Sequence, residues 1–180
     1  MTVTRESIAD SFEKHLEQFG FRKTSVEDIA KDLRISKKTI YVHFESKDDI
    51  YKRVVERRAA ADKQRIAAEL SGRTSYGAKI EGLIGIVFDF TRDWWRRNRD
   101  SEFVQRYQVA EQAFLDAYTD LMREYVHAGV SGGEFTADDS EVTVRLLSGL
   151  ILAGTRMLQE DVEADVEPAV VEAVERLLTC

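Results

Sequence analysis

At 180 residues, 43% hydrophobic and 33% charged, the chain can build one or two packed cores and is too apolar for disorder. It carries one proline, Pro168, and one cysteine, Cys180; few helix breaks are expected, a disulfide framework is excluded, and no apolar run nears the ~20 residues of a bilayer span. The net charge of −7 argues against nucleic acid until its distribution is read: residues 21–58 hold 11 Lys+Arg against 7 Asp+Glu, while 134–167 hold 2 against 9.

In chain order, Ile8, Phe12, Leu16 and Phe19 recur at helical spacing and predict a helix over about 5–19, closed by Gly20. Thr24 or Ser25 can cap a second helix, with Glu27 or Asp28 completing a capping box and Val26, Ile29, Ala30 and Leu33 inside. A short break over 33–36 leads to Ser36, a natural N-cap for a brief helix over 37–44 in which Ile40 and Phe44 face inward. Ser46 and Asp49 then open a long helix over about 47–70, and 71–77 is the best internal loop. A fifth helix over about 78–97 carries Ile80, Leu83, Ile84, Val87 and Phe88 on its apolar side. Helical pattern follows over 102–127, with an interruption expected near 108–112. Asp138 or Ser140 should cap a helix reaching about Leu158, and Pro168 should open the last one. The sum is an all-α chain of about nine helices. The charged start over 1–10 lacks the apolar core of a signal peptide, so a cytoplasmic location is expected.

Two short capped helices joined by a tight turn have the geometry of a helix-turn-helix, whose second helix enters the major groove. Apolar residues must lock the pair, here Ala30, Leu33, Ile35, Ile40 and Phe44. Small caps must turn backbone N–H groups to phosphate, here Thr24, Ser25 and Ser36. Donors must reach bases or backbone, here Lys37, Lys38, Thr39, Tyr41 and His43, with Lys47 behind them. His43 has no second ligand at metal spacing, so no metal site is expected.

Phe19-Gly-Phe21, Thr24-Ser-Val-Glu-Asp-Ile-Ala30, Ile35-Ser-Lys-Lys-Thr-Ile-Tyr-Val-His-Phe44 and Ser46-Lys-Asp-Asp49, in this order and spacing, resemble the N-terminal domain of TetR-type bacterial repressors. The resemblance covers about residues 5–58. Two glycines common in that pattern are Arg34 and Lys38 here, and both changes add positive charge. The resemblance implies a DNA-binding domain over 1–50, helix four continuing to about 71, and an effector and dimerisation domain over 51–180. It further implies a homodimer formed by the last two long helices, gripping a pseudo-palindromic operator with two heads about one DNA turn apart. Val142, Leu146, Leu147, Leu150, Ile151 and Met157 need a partner surface, which agrees with that implication.

The segment from Phe88 to Tyr125 is rich in aromatics, and the resemblance places an effector pocket between helices five, six and seven. The expected ligand-binding set is Phe88, Thr91, Trp95, Tyr107, Glu111, Phe114, Tyr118 and Met122. No nucleophile pattern, P-loop, dinucleotide fingerprint or His-Glu-x-x-His is present, so neither catalysis nor a cofactor is expected. The expected function is a transcriptional repressor released from its operator by a small hydrophobic or aromatic effector. The alternative, drawn from the acidic balance and the residues at Arg34 and Lys38, is a helical small-molecule sensor or partner-binding protein without specific DNA binding.

Overall fold

A computed structural model describes residues 3–97 and 104–179, with side chains over 3–96 and 110–179. Among the described residues all regular structure is helical, in the order α1 (Arg5–Lys23), α2 (Val26–Asp32), α3 (Lys37–His43), α4 (Lys47–Leu70), α5 (Tyr76–Arg97), α6 (Val104–Ser131), α7 (Ser140–Glu160) and α8 (Glu167–Thr179). Among the described residues eight helices stand where about nine were expected in the chain, because α6 runs unbroken through 108–112. No proline or glycine lies in that stretch, so nothing local forces a break. The chain divides into two compact units, 1–60 and 61–180.

In the first unit, α1 begins at Thr4 with a capping box: the Thr4 side chain accepts from the Ser7 amide at 3.1 Å, and the Ser7 hydroxyl accepts from the Thr4 amide at 3.0 Å. Gly20 (φ 74°) kinks the chain late in α1. The core is one cluster drawn from every element: Ile8 and Phe12 of α1, Val26 and Ile29 of α2, Ile40 and Phe44 around α3, and Ile50 and Val54 of α4. Burial of such side chains supplies ~1.5–3 kcal/mol each, an upper bound because an unfolded chain already hides some surface. On the outside, Arg53, Arg57 and Arg58 of α4 reach Glu6, Asp10, Glu13 and Glu17 of α1. Burial alone would raise the Glu13 carboxyl; hydrogen bonds from Arg58 and Arg57 reverse this and hold it below the ordinary range.

The turn from α2 to α3 is a Schellman motif: the Arg34 amide bonds the Lys31 carbonyl (3.1 Å) and the Ile35 amide bonds that of Ala30 (2.9 Å). The residue between them must adopt a left-handed conformation, and Arg34 does so at φ 54°. Glycine is the usual occupant; arginine there costs ~1–2 kcal/mol of steric strain.

In the second unit α5 and α7 are the hubs, each packed on the other, on α6 and on α8. Their buried stripes, Ile80, Leu83, Ile84, Val87 and Phe88 on α5 and Val144, Leu147, Ile151 and Leu158 on α7, form one core with Leu121, Met122 and Val126 of α6 and Val170, Val174 and Leu178 of α8. Gly154 lets the two hubs close: a Cβ there would lie 2.4 Å from Cζ of Phe88. The cap of α7 is Asp139, one residue from either expected position; its carboxylate accepts from the amides of Glu141 (2.9 Å) and Val142 (3.1 Å). Pro168 sits in the first turn of α8, where a missing N–H is harmless.

Candidate nucleic-acid interface and effector cavity

Each short helix of the head is capped by its own serine. Ser25 accepts from the Asp28 amide (3.1 Å) and donates to its carboxylate (2.5 Å), which holds Asp28 below the ordinary carboxylate range. Ser36 accepts from the Thr39 amide (3.1 Å), and the two hydroxyls are 2.9 Å apart. His15 of α1 meets Asp32 at the end of α2 (2.5 Å), tying the supporting helix to the pair. With Ile40 and Phe44 fully turned into the core, α3 shows its other side to solvent: Lys37, Lys38, Tyr41 at 52% exposure and Val42 at 75%.

Several residues expected on that outer face stand elsewhere. Thr24 is buried and its hydroxyl donates to the Gly20 carbonyl (2.8 Å), finishing α1. Lys47 is half-buried, donating to the Phe21 carbonyl (2.5 Å) with its ammonium 4.1 Å from the Phe21 ring centre. Lys37 is exposed but engaged: it forms an ion pair with Glu27, in the first turn of α2, which raises its own pKa and lowers that of Glu27. Lys38 has no such partner among the described residues. Thr39 is half-buried, while His43, the last residue of α3, lies in a polar groove with Arg5, Tyr41, Val42 and Asp49. Val42 is absent from the sequence-derived set, since a valine two residues after an inward isoleucine carries no polar signal.

In the second unit, a cavity of about 70 Å³ lies between α5, α6 and α7. The structure gathers Thr91, Glu111, Phe114 and Tyr118 around it, joined by Val87, Phe90, Trp94, Ala110, Leu115 and Thr155. Phe90 and Phe114 stack at 5.4 Å between ring centres, and Glu111 accepts from the Gln159 side-chain amide at 3.1 Å. Glu111 is the one ionisable acid in the described wall. Phe88 and Met122 are not part of it: both are core, Phe88 pressed on Gly154. Trp95 is set aside from the wall, its ring edge-on to Trp94 at 4.9 Å. The side chain of Tyr107 lies outside the described residues. A helical face one residue out of register separates Trp94 from Trp95, and composition alone does not choose between adjacent tryptophans.

A capped helix pair locked by a Schellman turn, with a cationic and aromatic outer face on the second helix, is a helix-turn-helix DNA-binding head. The sequence model of the tetR family of bacterial regulatory proteins matches residues 13–54, which span most of this head. A sequence comparison with curated proteins returned no match. Among solved structures, FadR of Bacillus subtilis, crystallised with stearoyl-CoA, aligns at 18% identity and TM-score 0.58, covering 97% of this chain and 98% of that one. RolR in complex with resorcinol aligns at 16% identity and TM-score 0.66, covering 97% and 86%. NemR of E. coli, in its reduced form, aligns at 19% and 0.59, covering 98% of each chain. At these identities the likeness is one of fold, and it extends over nearly the whole chain.

Proposed function

We propose that this chain is a repressor that works as a homodimer in the cytoplasm and leaves its operator when a small hydrophobic or aromatic effector enters the α5–α6–α7 cavity. The observation that carries the reading is the outer face of α3, where Lys38 and Tyr41 stand exposed on a head whose other face is locked by Ile40 and Phe44. Binding to the operator then rests on phosphate contacts and on base contacts in the major groove.

Homodimerisation is supported by α7. Its buried face is filled within the chain, yet Val142, Leu146 and Met157 remain more than half exposed along a second face, with Gly149 and Ala153 between them. Such a stripe with small residues at its centre suits close approach of a second α7. Effector binding is supported by the cavity wall, in which apolar and aromatic side chains surround one carboxylate and the hydroxyls of Thr91 and Thr155. At about 70 Å³ the cavity is roughly half of the ~150 Å³ that holds a benzene ring, so an aromatic effector needs a wall to give way. Phe90, 40% exposed, is the residue with room to do so. A tenfold loss of operator affinity on effector binding needs a coupling of only ~1.4 kcal/mol.

The test is fluorescence anisotropy of the full chain with DNA from upstream of its own gene across a salt series. Affinity should fall steeply as salt rises, and Lys38→Ala/Tyr41→Ala protein should bind at least tenfold more weakly. Equal binding by the double variant would remove α3 from the interface.

A further inference from the structure

Val42 adds nothing to the buried core of the head. Among the described residues it is the most exposed of the large hydrophobic side chains, at 75%, on the same helix whose Ile40 is fully buried. Valine is also a poor choice for an exposed site in a seven-residue helix, where straight-chain residues hold the helix better. It stands four residues after Lys38, as Tyr41 stands three after it, so cation, aromatic hydroxyl and isopropyl group share one exposed face centred on Lys38. Lys37 is engaged by Glu27, and this trio makes up the other exposed side chains of α3. An isopropyl group neither donates nor accepts a hydrogen bond. In the major groove the apolar feature that distinguishes one base from another is the 5-methyl group of thymine.

We propose that Val42 is a specificity-determining residue that reads thymine, packing its isopropyl group on the 5-methyl of a thymine in each half-site; this rests on the DNA-binding reading above. Four residues of α-helix span ~6 Å, and base pairs rise ~3.4 Å, so that thymine lies within about two base-pair steps of the base beside Lys38. The discrimination is that of one methyl group, about fourfold per half-site, or ~0.8 kcal/mol converted at 1.4 kcal/mol per decade.

The experiment uses duplexes selected from a random pool by the full-length chain, then remade with uracil replacing one thymine at a time. Uracil keeps the Watson–Crick edge and deletes only the methyl group. The wild type should lose about fourfold in affinity on replacement at one position in each half-site, the two related by the two-fold axis, and Val42→Ala should lose nothing further there. Val42→Ala should melt no lower than wild type, because alanine favours the helix and no core contact is lost. If uracil is tolerated everywhere, or costs wild type and Val42→Ala alike at every position, the assignment of Val42 is overturned while DNA binding stands. If no duplex is selected and binding shows no salt dependence, the DNA-binding reading fails and this inference with it.

Discussion

The Lys37–Glu27 pair sets Lys37 against the DNA it would be expected to hold, and Glu27→Gln exposes the consequence. In the free protein the two side chains, each about half exposed, are bound to one another across the α2–α3 junction. To contact a phosphate, Lys37 must exchange a carboxylate for it, and the abandoned carboxylate then stands near the polyanion. Glu27→Gln removes that competitor and leaves Lys37 free to make one more phosphate contact. Each such contact adds ~0.9 to the slope of log affinity against log salt, so the variant should gain about eightfold over wild type on going from 1 M to 0.1 M salt. Anisotropy titrations at four or five salt concentrations measure the slope directly. Lys37→Ala should leave the wild-type slope nearly unchanged, and Glu27→Gln/Lys37→Ala should match Lys37→Ala. A Glu27→Gln slope equal to that of wild type would refute the argument, since the pair would then have no competing role.

Four other perturbations test the fold around the two sites. Arg34→Gly should raise the unfolding free energy by ~0.5–1 kcal/mol, read as a higher urea midpoint with m unchanged, the strain relieved at φ 54° outweighing the extra backbone entropy of glycine. Gly154→Ala should destabilise by ~1–3 kcal/mol, because its Cβ would meet the buried Phe88 ring at 2.4 Å where carbon contacts need about 3.5 Å; thermal unfolding reads this out. Glu13 has a folded pKa below its unfolded one, so its pairs with Arg57 and Arg58 contribute above the ordinary carboxylate pKa of about 4.3 and are lost as pH falls through the lowered value. Glu13→Gln should therefore flatten the acid limb of a stability-versus-pH curve and be least stable relative to wild type near neutrality. Leu146→Glu, placed mid-stripe on α7, should halve the mass measured by light scattering while preserving helical content; an unchanged mass would move the dimer surface elsewhere.

The head was legible from sequence because its signals are local. A serine cap writes its message within three residues, as at Ser25 and Ser36, and an apolar pair four apart, Ile40 and Phe44, names the inward face of a helix without reference to anything else. Even the turn was visible, although Arg34 in place of glycine hides the left-handed residue that the Schellman geometry demands. What the tertiary structure decided are pairings between residues distant in sequence. Glu27 claims Lys37 from ten residues away and the Phe21 carbonyl claims Lys47 from 26; no periodicity encodes either pairing. On α7, Leu147 and Ile151 are covered by the chain itself whereas Leu146 and Val142 are not, a division of one apolar helix into two faces that depends on where α5 and α8 pack. The cavity follows the same rule. Its aromatic composition could be read in advance, but the choice of Trp94 over Trp95 and of Phe90 over Phe88 is made by helix rotation, and rotation is fixed only when neighbouring helices close around Gly154.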